Sequence, residues 1–287
     1  MTGGPDFLTG IQAVTTSTAS PAPGGSIHVM ADAVNLDHMG SIFTTSYGRG
    51  PGGNMEDSSG NLTLANAATI RAAGEAIGPA GSISVNANDS IVLTGNSAIS
   101  TSARQSSGGD IRLKAGDAFQ LVDSQITAQA GPGGGGNITL SAPSLIYLLD
   151  STLTAQAIGN GGNLTIIDPV FFILNNANLI SKSSSANGGN ITILSDFFFQ
   201  SAGIIDASAP FGLPGTVSVS APEVDLSGSL IGLPSNLLGA ETQLRPDCGV
   251  RLTGNISSFI VLGSGGLPLE PGGFVPSGPV SSPDADK

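Results

Sequence analysis

The chain has no tryptophan, one cysteine and two tyrosines, and only 10% of its 287 residues are charged. With Cys248 alone, no internal disulfide can staple the fold. Without Trp, the largest platform for stacking a sugar ring is missing. Nine basic residues stand against 21 acidic ones, and the net charge of −12 disfavours a nucleic acid or an anionic membrane as partner. The first ten residues hold no basic segment followed by an apolar core, so no signal peptide is visible. Apolar runs such as Val170-Phe171-Phe172-Ile173-Leu174 are far too short to span a bilayer. No stretch keeps a helical period over a useful length.

What the chain does have is glycine, 42 residues of it, together with 39% hydrophobic residues, enough for a long core. The glycines keep time. "GGSIHV", "GGNMED", "AGSISV", "GGDIRL", "GGNITL", "GGNLTI", "GGNITI" and "PGTVSV" follow one another, with the second position at Gly25, Gly53, Gly81, Gly109, Gly136, Gly162, Gly189 and Gly215. The steps between them are 28, 28, 28, 27, 26, 27 and 26 residues. Two residues after each glycine stand Ile27, Met55, Ile83, Ile111, Ile138, Leu164, Ile191 and Val217. Four after stand Val29, Asp57, Val85, Leu113, Leu140, Ile166, Ile193 and Val219. Apolar residues at period two mark one buried strand face, and only Asp57 breaks it. A second apolar segment follows, with Phe119/Leu121 and Ile146/Leu148 among its copies, and then a third, with Ile70, Ile99 and Ile126. Pro143, Pro169 and Pro222, or Asp32 and Asp196, punctuate the first two.

Three short strands per repeat predict an all-β fold: a right-handed parallel β-helix of about eight coils, each stacked about 4.8 Å from the last. Like residues then lie over like residues, and each coil is stabilised by its neighbours. The repeat spans residues 1–230. Residues 231–262 read as a C-terminal cap and 263–287 as a Pro/Gly-rich disordered tail. The glycines read as corners needing positive φ. The run Gly133–Gly136 has no following Lys and no helix, so it is a longer corner rather than a phosphate cradle. Nothing in the sequence calls for a cofactor. The start, "TGIQAVTTSTAS", resembles the third strand of a coil. The chain is therefore expected to be the C-terminal piece of a longer protein.

Few residues carry chemistry. Asp123 and Asp150 each stand fourteen residues after their glycine, which stacks them one coil apart, about 5 Å. The main expectation is a turn between the second and third strands. The weaker alternatives are a retaining glycosidase pair or a shared calcium ion. Ser124 and Ser151 follow them, but no His or Arg shares the column. His28 and His38 lie on different strands and read as surface or turn residues rather than zinc ligands. Arg112 and Lys114 flank Leu113 and read as a solvated face, with an acidic sugar as the alternative. Asn137, Asn163 and Asn190 form a column beside the corner, expected as an asparagine ladder, with a polar ligand stripe as the alternative. Thr139, Thr165 and Thr192 make one outward column, where an ice-binding face would need two. Phe119, Phe171, Phe172 and Phe197-Phe198-Phe199 predict an internal aromatic stack. At least one of the last three must face outward, Phe198 or one of its neighbours.

The end of the chain carries a resemblance. Leu244-Arg245, Cys248, Ser257-Ser258-Phe259-Ile260-Val261 and Gly265-Gly266-Leu267-Pro268 resemble the C-terminal tail of large exoproteins of the filamentous haemagglutinin family, which leave the cell by two-partner secretion. The "GGNITL" repeats resemble that family's shaft. Ser264 and Leu269 stand where such tails often have Arg and a second Pro. The resemblance implies a non-catalytic, adhesin-like shaft at the bacterial cell surface or outside it. It also implies an outer-membrane transporter as export partner and a surface receptor or glycan on a host or neighbouring cell as binding partner. The competing readings are a β-helix polysaccharide lyase or glycosidase, and a structural surface-layer or matrix component.

Overall fold

The structure, a computed structural model, describes residues 10–16 and 21–221. These belong to one compact unit, Met1–Val224; a second, Asp225–Lys287, lies outside the described residues. The expected cap 231–262, the expected tail 263–287 and Cys248 therefore also lie outside them.

The described chain is all β, with every strand pairing in parallel. It opens with β1 (Gly10–Thr15). The coil beginning at Gly25 holds β2 (Ile27–Leu36) and β3 (Ser41–Ser46), and the next holds β4 (Met55–Leu64) and β5 (Thr69–Gly74). Three coils then show three strands each. They are β6 (Ile83–Ala87), β7 (Ser90–Leu93) and β8 (Ala98–Ala103); β9 (Ile111–Ala115), β10 (Ala118–Val122) and β11 (Gln125–Ala130); and β12 (Ile138–Ser141), β13 (Leu145–Leu149) and β14 (Thr152–Thr154). The last coils hold β15 (Leu164–Ile167) and β16 (Phe171–Ile180), then β17 (Ile191–Leu194) and β18 (Phe197–Asp206), and β19 (Val217–Ser220) begins another. This is a parallel β-helix of about eight coils, as the repeat predicts.

The register is the sequence period made spatial. Ile83 pairs with Ile111, Ile111 with Ile138, Ile138 with Leu164, Leu164 with Ile191, and Ile191 with Val217. The strands form because Ile, Val, Leu and Thr alternate with polar residues, which suits a pleated surface with one face buried. Their inward residues stack into ladders: Ile83, Ile111, Ile138, Leu164 and Ile191 are all essentially inaccessible, as are Leu62, Ile91, Phe119, Ile146 and Phe172. Val217 and Val219 on β19 are exposed.

The structure departs from three strands per coil at both ends of the stack. In β2 and β4 the first two strands run together, and in β16 and β18 the second and third do. The ladders continue across each bend and skip only one residue: Asp32 over Gly60, and Asn176 over Ala202. One residue on each strand leaves the ladder at the bend, so the register is kept on both sides.

The corner glycines are a second departure. None of the eight has the left-handed φ expected of them; among described glycines only Gly95 and Gly203 do. Close approach is the reason instead. A Cβ on Gly136 would run into the carbonyl oxygen of Gly109, and one on Gly162 into that of Gly136; Gly53, Gly81, Gly109, Gly189 and Gly215 repeat this contact down the column. The backbones of successive corners touch directly, leaving no space for a side chain.

Candidate functional site

Left-handed backbone falls on the column that contains Asp123 and Asp150. Asn96 has φ 61°, Asp123 47°, Asp150 48°, Asn176 47° and Ala202 60°. Asp and Asn tolerate this conformation because a short polar side chain can bond locally. Two coils earlier the same turn holds two such residues, Asn66 and Ala67, and then Gly95 and Asn96. The coil of Asp123 has lost one, which is where the step shortens from 28 to 27 residues.

Asp123 and Asp150 do stack one coil apart, since Val122 pairs with Leu149 and Gln125 with Thr152. They line a shallow depression with Asn96, Ser124 and Gln125. The Asn176 amide donates to Asp150 Oδ1 at 2.5 Å. Ser124 and Ser151 are buried beneath the turn and are not presented as nucleophiles. Ser124 Oγ donates to the Val122 carbonyl at 2.9 Å and accepts from the Ser97 N–H at 3.2 Å. Ser151 Oγ donates to the Leu149 carbonyl at 2.6 Å and accepts from the Ser124 N–H at 3.2 Å. The serines form a ladder that supports the turn. Among the described residues, no group of three or more His, Cys, Asp or Glu could hold a metal ion.

The asparagine column bonds vertically. Asn137 Oδ1 accepts both the backbone N–H of Asn163, at 3.0 Å, and its amide, at 3.1 Å. Asn163 Oδ1 accepts the Asn190 N–H and Asn190 Oδ1 the Thr216 N–H, each at 2.8 Å. Asp110 begins this run, accepting the N–H and the amide of Asn137, each at 3.0 Å. Burial pushes the Asp110 carboxyl up, but hydrogen bonds from Asn137 and Arg112, with the Arg112 charge, outweigh it and hold it below its ordinary value.

The remaining residues are scattered. Arg112 pairs with Asp110 at 2.7 Å, while Lys114 projects on the same outer face, over a shallow trough lined by Ser84, Asn86, Thr139 and Ser141. His28 pairs with Glu56 at 3.0 Å and His38 with Asp37 at 2.8 Å; the two histidines do not converge. Thr139, Thr165 and Thr192 align as one column, interrupted by Arg112.

Phe198 faces inward and stacks on buried Phe172 with centroids 5.2 Å apart. Phe197 and Phe199 are the ones that turn outward. There Phe171 stacks on Phe197 at 5.3 Å and on Phe199 at 6.5 Å. Period two dictates this alternation, and β16 fixes its phase by placing Phe172 in the core.

No helix among the described residues is long and apolar enough to cross a membrane. The fold thus defines a class, a parallel β-helix with ladders of polar side chains along its coils. No protein-family model, no curated protein and no solved structure matches the chain.

Proposed function

We propose that this chain is a non-catalytic shaft segment of an adhesin-like exoprotein of the filamentous haemagglutinin type, secreted and held at the cell surface. One observation carries the non-catalytic reading. Most polar side chains around the candidate acids are engaged in holding one coil to the next: Asp110, Asn137, Asn163 and Asn190 in one ladder, Ser124 and Ser151 in another. Asp150 is engaged the same way by Asn176. A hydroxyl already donating to a backbone carbonyl is not poised to attack a substrate, and among the described residues no side-chain base hydrogen-bonds to it.

The resemblance of residues 244–268 supports the secretion route, with an outer-membrane transporter as partner and a cell-surface receptor or glycan as target. A solenoid that folds coil upon coil suits a chain that emerges unfolded. The outward Phe171, Phe197 and Phe199 ladder favours a second reading, a structural surface-layer or matrix component, because exposed apolar patches mark association surfaces. Incubating the purified chain with acidic and neutral polysaccharides tests the first reading against an enzyme. The expected result is no turnover. Turnover that disappears in Asp150→Asn would overturn the proposal.

A further inference from the structure

Asp57 stands where a hydrophobic residue belongs. It pairs in register with Val29 on β2 and Val85 on β6, inside the ladder that continues as Leu113, Leu140 and Ile166. It is only 2% exposed. Ser59 Oγ donates to Oδ2 at 2.8 Å, and Oδ1 has no hydrogen-bond partner among the described residues. The elements around it supply no countercharge. The inward residues of β2 and β6 are apolar, and the buried residues of β3, β5 and β7 are uncharged, Ile42, Thr44, Ile70, Ala72, Ile91 and Leu93 among them. The titratable side chains beside it on β4 and β2, Glu56 and His28, lie on the outer face of the sheet and pair with each other at 3.0 Å; Arg71 on β5 also faces out, to Glu75.

We propose that Asp57 makes the second coil an acid-stabilised rung: the coil packs around a neutral carboxyl and loosens as that carboxyl ionises. An ionised carboxylate with one oxygen unpaired in an apolar interior is far costlier than the neutral acid. Burial accordingly pushes the Asp57 carboxyl above its ordinary value, with the Ser59 hydrogen bond opposing. The sign follows from that direction. Below the ordinary carboxylate range Asp57 is protonated whether the coil is closed or open, and its contribution is fully present. As pH rises towards the folded-state value, the open coil ionises and the closed one does not. Stability is lost, with the open-to-closed ratio growing by up to about tenfold per pH unit. Acidification therefore firms this part of the stack and neutral pH relaxes it.

Hydrogen exchange of residues 53–80 in the full chain tests this, comparing wild type with Asp57→Asn at each pH so that the intrinsic exchange rate cancels. At about pH 8 the ratio of wild-type to variant opening is expected to exceed the ratio at about pH 4, falling as pH drops from the folded-state value towards the ordinary carboxylate range. A ratio independent of pH, or one that rises on acidification, overturns the proposal. Should Asp57→Asn fail to fold, a carboxyl-carbon titration of Asp57 by NMR in wild type decides the matter. A midpoint above 3.8 supports the proposal, and one at or below 3.8 contradicts it.

Discussion

Gly136 and Asn137 are neighbours with opposite tasks. Gly136 keeps a side chain out so that its backbone can lie against the carbonyl of Gly109. Asn137 puts a side chain in, to satisfy the N–H of the next coil's Asn163. Repeated down the stack, the pair sets both coil spacing and corner bonding; each such hydrogen bond contributes about 0.5–1.5 kcal/mol. Gly136→Ala is therefore expected to destabilise the chain by about 1–3 kcal/mol, the usual cost of overpacking a close contact. Gly134 is the control, because a Cβ there meets nothing nearer than the Asn160 carbonyl oxygen at 3.9 Å. Gly134→Ala should lie within about 0.5 kcal/mol of wild type. Urea unfolding of the two variants checks both values; equal losses would show that close approach is not what the column requires.

The strand is the element most legible in the sequence, and the turn the least. Alternation of Ile, Leu and Val with polar residues predicts which side chains are buried, because a strand has one inner face and period two fixes it. The same rule leaves the phase of Phe197-Phe198-Phe199 open: three consecutive Phe are compatible with either alternation, and only pairing of Phe172 with Phe198 chooses. Turns are harder because composition marks where the chain bends and not how. Glycine suggested positive φ at the corners, yet Asp123, Asp150 and Asn176 adopt it while the corner glycines do not. No sequence signal separates a glycine needed for φ from one needed for space. The candidate acid pair was legible as a stacked column. The buried serine ladder beneath it was not, since burial of a hydroxyl depends on three-dimensional packing. The conformation of the turn makes a direct prediction. Asp150→Gly should stay within about 1 kcal/mol of wild type, whereas Asp150→Val should lose about 1–2 kcal/mol in thermal or urea unfolding, the cost of a left-handed side-chain-bearing residue. Equal effects of the two would mean that the turn does not depend on its φ.

Across the coils as a whole, sequence distance becomes vertical distance. A residue one period along the chain is one step along the stack, so polar ladders, aromatic ladders and glycine contacts all follow from the same register. That register places Asp123 over Asp150 and Asn176 beyond it, and it underlies the scaffold role proposed above. It also makes Asp57 conspicuous, as a carboxyl in an otherwise apolar column. The column Ser84, Arg112, Thr139, Thr165, Thr192 and Ser218 runs along one outer face with each residue paired to the next. Spin labels at Ser84 and Thr192, and at Ser84 and Ser218, placed in a Cys248→Ser background, measure the stacking directly. Stacked coils predict backbone separations of about 19 Å and about 24 Å, one further step of about 4.8 Å for one further period. Distances that fail to grow by that step, as antiparallel hairpins or helices would give, contradict the in-register solenoid and the scaffold role proposed for it.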